Sequence, residues 1–173
     1  MRRVRYGIAA SLDGFIASRS GSTDWIIDDP TIDFASLYDA FDIFIMGRKT
    51  YEVMKQHGWQ YLDRRSKESI FVVSRHMKPG DHAEVTIVRN IDSLKALRHE
   101  DGKDIWLMGG AEIAGLCFDA GLVDAVDVAV MPVLLGDGVK MIGASGIWKL
   151  ELETLEKLNS GILMTRYSVI KGV

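Results

Sequence analysis

The sequence predicts an α/β domain with a mostly parallel central sheet, a C-terminal antiparallel hairpin and helices on both faces. Three observations carry that prediction. Short, continuous apolar runs end at glycines or polar turns, the pattern of strands buried on both faces. Helical stretches alternate with those runs, which is the order of a parallel α/β fold. The last two apolar stretches are split by Asn159-Ser160-Gly161, a hairpin signal.

In chain order, Val4 to Ala10 reads as an inner strand, with turns marked by Gly14 and Gly21. Asp28-Asp29-Pro30-Thr31 reads as a turn into a helix with Thr31 as N-cap. Phe34, Leu37, Tyr38 and Phe41 then recur as one helical stripe. Asp42 to Met46 is the next buried strand, ending at Gly47, and Lys49 to Gln56 is a helix. Strands follow at Ser69–Ser74 and Glu84–Val88, then a helix over Ile91–Leu97 and a strand over Asp104–Met108 closed by Gly109-Gly110. The helix after it places Ile113, Leu116, Cys117 and Ala120 on one face, with Gly121 as its C-terminal cap. Val123 to Met131 is a strand, and Trp148–Lys157 with Gly161–Ile170 form the closing hairpin.

At 173 residues the expectation is one domain over 1–173, large enough to bury a core without staples. The net charge of -3 offers no basic excess for a phosphate backbone, which argues against nucleic-acid binding. Cys117 is the only cysteine, so no intrachain disulfide forms, which fits a reducing compartment. The opening MRRVRYGIAAS breaks too early for a signal peptide, and no run approaches the ~20 apolar residues of a membrane span. A cytoplasmic protein is the expectation. His57, His76, His82 and His99 lack helical i, i+4 pairing, so no metal site is expected.

In an open α/β sheet, ligands collect beyond the carboxyl ends of the strands. That rule selects Gly47-Arg48-Lys49-Thr50, Ser74-Arg75 and Gly109-Gly110-Ala111-Glu112. Glycine admits close approach of backbone to ligand, and helix starts offer free N–H groups suited to phosphate. Arg48, Lys49 and Arg75 add formal charge. Each glycine alone reads equally well as a strand terminator. Neither cluster is a G-x-G-x-x-G or a P-loop. The residues by themselves reach a phosphorylated nucleotide ligand and no further.

At these residues the chain resembles the dihydrofolate-reductase-like superfamily. It is most similar to the C-terminal reductase domain of the bacterial riboflavin-synthesis deaminase–reductase. The matching stretches are Ala9–Ala17, Thr23–Trp25, Ile45–Glu52, Phe71–Arg75, Trp106–Ile113 and Pro132–Gly138, in the family's order. The resemblance implies an NADPH cofactor. Gly47, Arg48, Lys49 and Thr50 match the turn that holds its phosphates and ribose, and Ser74 and Arg75 match the strand end beside the 2′-phosphate. Gly109, Gly110, Ala111, Glu112 and Ile113 match the glycine pair and helix start under the pyrophosphate; in relatives that Gly–Gly peptide is often cis. Ala9 and Ile16 match backbone positions that hold the nicotinamide carboxamide, and Asp13 to Ala17 match the mobile loop over the nicotinamide.

On the substrate side, Asp33 is the nearest match to the acid that binds the pterin ring in dihydrofolate reductases, and the expected catalytic group. The alternative reading of Asp33 is an acid in the first helical turn, favoured by the dipole. Asp24, Trp25 and Phe34 complete the expected substrate pocket, with Trp25 stacking on a planar ring. The proline-rich substrate loop and the arginine that grips folate's glutamate tail are not found. The deaminase zinc signature, which needs P-C-x-x-C, is missing too. The expected activity is therefore hydride transfer to a C=N or C=O of a small heterocyclic or sugar-phosphate substrate, similar to 5-amino-6-(5-phosphoribosylamino)uracil reductase. The alternatives are a dihydrofolate or pterin reductase, or a nucleotide-binding module without efficient catalysis. Relatives often form dimers, so a homodimer is expected, with the closing hairpin as a reasonable interface.

Overall fold

The computed structural model describes residues 1–143 and 146–171. The apolar run after the opening arginines forms β1 (Val4–Ser11), followed by a short β2 (Phe15–Ala17). Then come α1 (Phe34–Asp39), β3 (Phe41–Gly47) and α2 (Arg48–His57). Next are β4 (Ile70–Val73), β5 (Thr86–Val88), β6 (Asp104–Gly109) and α3 (Ala111–Asp119). The chain closes with β7 (Ala125–Met131), a short β8 (Val139–Lys140), β9 (Leu150–Lys157) and β10 (Leu163–Val169).

Eight strands make one sheet in the order β5-β4-β3-β6-β1-β7-β10-β9. The first six run parallel; β10 runs antiparallel to β7, and β9 antiparallel to β10. Strand β6 sits between β3 and β1, so the order reverses there, and at such a reversal an open α/β sheet has its ligand crevice beyond the carboxyl ends of the strands. The short β2–β8 ribbon lies apart from the main sheet.

Alternation along the inner strands builds a core on each face. One face carries Tyr6, Ile43, Ile45, Ile105 and Leu107 against Ile113, Ala114, Cys117 and Phe118 of α3. The other carries Phe41, Phe44, Met46 and Met108 against Tyr38 of α1, Tyr51 of α2 and Leu62. Each such large side chain, fully buried, contributes roughly 1.5–3 kcal/mol. Strand β9 lies at the sheet edge with every residue exposed.

Several local expectations are corrected. Helix α1 begins at Phe34 with Asp33 as its N-cap, not Thr31. The Asp29 carboxylate accepts the Thr31 N–H at 2.9 Å, so the turn closes on itself before the helix starts. Phe41 belongs to β3, not to the helical stripe. In α3, Ala114 and Phe118 are buried while Leu116 is 45% exposed, so the buried face is rotated from the expected one. The larger Phe118 ring meets Tyr6 edge-on at 6.4 Å and takes the inward position. The segment after β5, Asp92–His99, is a 3-10 helix rather than an α-helix. The cap at Gly121 is as expected: its N–H reaches the Phe118 carbonyl at 2.8 Å and Leu122 N–H the Cys117 carbonyl at 2.9 Å. None of the helices described is long and apolar enough to cross a membrane.

Candidate active site

Two helix starts converge at the crevice. Gly47 ends β3 and caps α2; Gly110 follows β6 and caps α3; neither offers a side chain to the free N–H groups of the first turn. Met46 pairs with Gly109 across the β3–β6 ladder, which sets the two turns side by side. A Cβ on Gly47 would lie 3.0 Å from Ile113 Cγ1 and 3.8 Å from both the Gly109 oxygen and the Gly110 nitrogen. A Cβ on Gly110 would lie 3.5 Å from Thr50 Oγ1. The Gly109–Gly110 peptide is cis. Unsatisfied N–H groups from two helices therefore face one small region, an arrangement that binds anions. Gly47, Thr50, Gly109, Gly110 and Ile113 are brought together by these contacts.

The cations around it differ in availability. Arg48 Nη1 is paired with Glu52 at 2.6 Å within α2. Lys49 and Arg75 are exposed and have no ion-pair partner among the described residues. Ser74 lies just past β4, and Gly47 pairs with Val73 on the neighbouring strand. The Ser74 hydroxyl is buried and accepts the N–H groups of His76 (3.2 Å) and Met77 (3.1 Å). Arg89, just past β5, donates from Nη1 to the Ser74 and Met77 carbonyls at 3.0 and 2.8 Å. The turn that presents Arg75 is thus braced from both sides. Glu112 is exposed in the first turn of α3, and Ala111 lends its carbonyl to Gly143 N–H at 3.1 Å.

Ala9 lies half-buried in β1, opposite Ala129 of β7, and Ile16 packs from β2 onto the α3-side core. The loop between β1 and β2 is latched to the segment after β7. The Asp13 carboxylate accepts Gly136 N–H at 2.7 Å, Leu135 N–H at 3.1 Å and the Ser11 hydroxyl at 2.7 Å. The Ser11 hydroxyl, followed by those N–H groups, holds this exposed acid below the usual carboxylate range. Met141 N–H bonds the Gly14 carbonyl at 2.9 Å, and the Tyr6 hydroxyl donates to the Met141 carbonyl. Residues 134–143 therefore strap the β1–β2 loop to the start of α3.

The substrate-side residues are less gathered. Asp33 is exposed, and its two oxygens accept the Ser36 N–H at 3.0 Å and the Ser36 hydroxyl at 2.6 Å. The Ser36 hydroxyl and N–H keep its carboxyl below the usual range, so it stays ionised. Phe34 packs on Tyr61 with ring centroids 5.8 Å apart, and Tyr61 stacks on Tyr38 at 4.8 Å. The Trp25 indole N–H donates to the Ser22 carbonyl at 3.2 Å, and Asp24 is exposed beside it. No hydrogen bond among the described residues joins Asp24 or Trp25 to Asp33.

Sequence reasoning placed Asp13 in the mobile loop and 132–138 among the matching stretches, but it did not find the latch between them, Arg89 or residues 139–143 as parts of this site. Their partners are carbonyls and amides far away in the chain, and main-chain partners leave no residue-type signal. A hollow of about 410 Å³ lies at the opposite end of the sheet, lined by Met1, Lys95, Arg98, His99, Ala120 and Leu122. Its Arg98 and Lys95 are paired with Asp124 and Asp92.

Comparison with known proteins agrees with this geometry. The family model described as the RibD C-terminal domain matches residues 2–164. An uncharacterised protein of Bacillus subtilis, YyaP, is 29% identical, with 96% of this chain and 94% of that protein covered. The crystal structure of a putative riboflavin biosynthesis protein from Shewanella superposes with a TM-score of 0.81 at 23% identity, covering 99% of this chain and all of that one. A deaminase/5-amino-6-(5-phosphoribosylamino)uracil reductase from Thermotoga maritima gives a TM-score of 0.70 at 16% identity; the match covers 98% of this chain and 57% of that one. At such identities the two structures establish the fold.

Proposed function

The chain belongs to the RibD C-terminal domain family, a reductase-domain family of riboflavin biosynthesis, and on that premise we propose that it is an NADPH-dependent reductase of a small nitrogen heterocycle bearing a sugar phosphate. One observation carries the cofactor half of this reading: two uncapped helix starts meet across Gly47 and Gly109-Gly110, with Lys49 and Arg75 unpaired nearby. The residues fit a dinucleotide. Both caps are glycines whose Cβ would enter the space a pyrophosphate needs, and the nearby charge is positive.

Bound NADPH supplies a hydride for a C=N or C=O carbon. The N–H groups of α2 and α3 hold its diphosphate, and Arg75, on a turn fixed by Ser74 and Arg89, attracts the 2′-phosphate. The Asp13 latch keeps the β1–β2 loop closed, which excludes water from the reacting carbon. Trp25 and Phe34 offer ring faces to a planar substrate. Asp33, held ionised by Ser36, accepts a substrate N–H rather than donating a proton. We place the reaction in the cytoplasm.

A second reading, a nucleotide-binding module without efficient catalysis, has one observation in its favour: both Asp33 oxygens are already engaged by Ser36. Titration of NADPH against NADH, followed by tryptophan fluorescence, tests the cofactor half. Micromolar NADPH binding with much weaker NADH binding is expected; binding of neither to folded protein would sink the reductase assignment. Turnover of aminopyrimidine ribose or ribitol phosphates then separates the two readings.

A further inference from the structure

Behind the first turn of α2 lies a polar cluster that the proposed chemistry does not use. Tyr51 is 4% exposed, and its hydroxyl donates to Glu84 Oε1 at 2.6 Å. Lys55, one turn further along α2, donates to the same oxygen at 2.9 Å. With its proton given to Glu84, the Tyr51 oxygen accepts from His82 Nδ1 at 3.1 Å. The Trp59 ring closes the cluster, edge-on to Tyr51 at 5.8 Å and beneath the Lys55 ammonium at 4.7 Å.

The placement matters because of what α2 lacks. Its cap, Gly47, has no side chain to tie the helix start to its surroundings. The Arg48–Glu52 pair lies within the helix and cannot fix it relative to the sheet. Arg48, Lys49 and Thr50 immediately precede Tyr51, and each residue turns the helix by about 100°. A small rotation of α2 would therefore swing its free N–H groups and Lys49 away from Gly109-Gly110. Tyr51 and Lys55, at i and i+4, meet Glu84 on one helix face, and two bonds to one oxygen resist that rotation.

We propose that Tyr51 and Glu84 are positioning residues for the cofactor: together they fix the rotation of α2, and with it the aim of its first turn at the diphosphate. This rests on the NADPH reading above, and neither residue touches the cofactor. Glu84 also lies in the segment leading to β5 and Arg89, so one clamp ties both cationic turns into a single frame.

The test compares Tyr51→Phe, Glu84→Gln and Glu84→Ala with the unaltered chain, by NADPH titration and by amide exchange at residues 48–51 without ligand. Tyr51→Phe keeps the ring and loses the hydroxyl's bonds to Glu84 and His82. It is expected to weaken NADPH binding about tenfold and to speed exchange at 48–51. Glu84→Ala is expected to do the same, and Glu84→Gln, which keeps an acceptor oxygen, to restore most of the affinity. Lower melting temperatures with unchanged NADPH affinity and exchange would make the cluster merely structural and overturn the proposal, leaving the reductase reading intact. If the unaltered chain binds no NADPH, the reductase reading fails; unchanged exchange in Tyr51→Phe counts against the clamp independently of any ligand.

Discussion

The indole N–H of Trp106 donates to the carbonyl of Gly7 at 3.1 Å, and a Cβ added at Gly7 would fall 2.5 Å from that nitrogen. The ring lies flat enough on β1 that only glycine fits beneath it. Tyr38 and Phe41 hold it from the other side, at 4.8 and 5.0 Å between centroids. Gly7→Ala is expected to destabilise the fold by about 1–3 kcal/mol through overpacking. Urea denaturation measures the loss, and near-ultraviolet circular dichroism reports the displaced indole.

Gly47→Ala puts a methyl 3.0 Å from Ile113 Cγ1, inside the cradle between the two helix starts. NADPH affinity is expected to fall about tenfold or more, equivalent to about 1.4 kcal/mol. Gly80→Ala, whose Cβ meets nothing within 4 Å, is the matched control and should bind as the unaltered chain does. Equal affinity in both variants would place the diphosphate elsewhere.

Glu84 is held by Tyr51 first and Lys55 second, which lowers its pKa from the ordinary 4.5 to about 2. A carboxyl depressed on folding stabilises the fold above its unfolded pKa, and that contribution disappears as pH falls through the folded value. Stability should therefore drop between pH 4.5 and about 2, and Glu84→Gln should flatten that part of the curve. Denaturant midpoints taken across this range decide the matter.

Asp13→Ala removes the acceptor shared by Leu135, Gly136 and Ser11. Faster amide exchange at Leu135 and Gly136 is expected, together with faster proteolysis within residues 12–17. Protection equal to that of the unaltered chain would mean that the β2–β8 ribbon alone holds the loop.

Cys117 is 2% exposed, and burial pushes its thiol up to about 12. The native protein should react with a disulfide reagent only as fast as α3 opens, and at once in denaturant. A rapid native reaction would contradict the packing of α3, through Phe118, against Tyr6.

The inner strands were legible because each is a short apolar run stopped by glycine or a polar turn, as Phe41–Gly47 and Asp104–Gly109 illustrate. The glycine turns that start α2 and α3 follow from their positions at the ends of β3 and β6. Helix α1 was misjudged at both ends because Asp29 and Asp33 compete as local side-chain caps, and composition does not say which one starts the helix. The face of α3 was misassigned because Leu116 and Phe118 are equally apolar in sequence and only the Tyr6 ring decides between them. The β2–β8 ribbon was missed because its strands are three and two residues long.

The place of β6 has a consequence for how the chain reaches this state. Val4 of β1 pairs with Ile105 of β6, and Arg5 pairs with Ala125 of β7, so both neighbours of the first strand are made about a hundred residues after it. Until β6 emerges from the ribosome, β1 has no partner on either edge, and β3 lacks the strand that separates it from β1. Such late, long-range pairing slows folding and leaves apolar edges open in the meantime. The crevice therefore waits for the middle of the chain: it takes shape only when β6 slides in between β3 and β1.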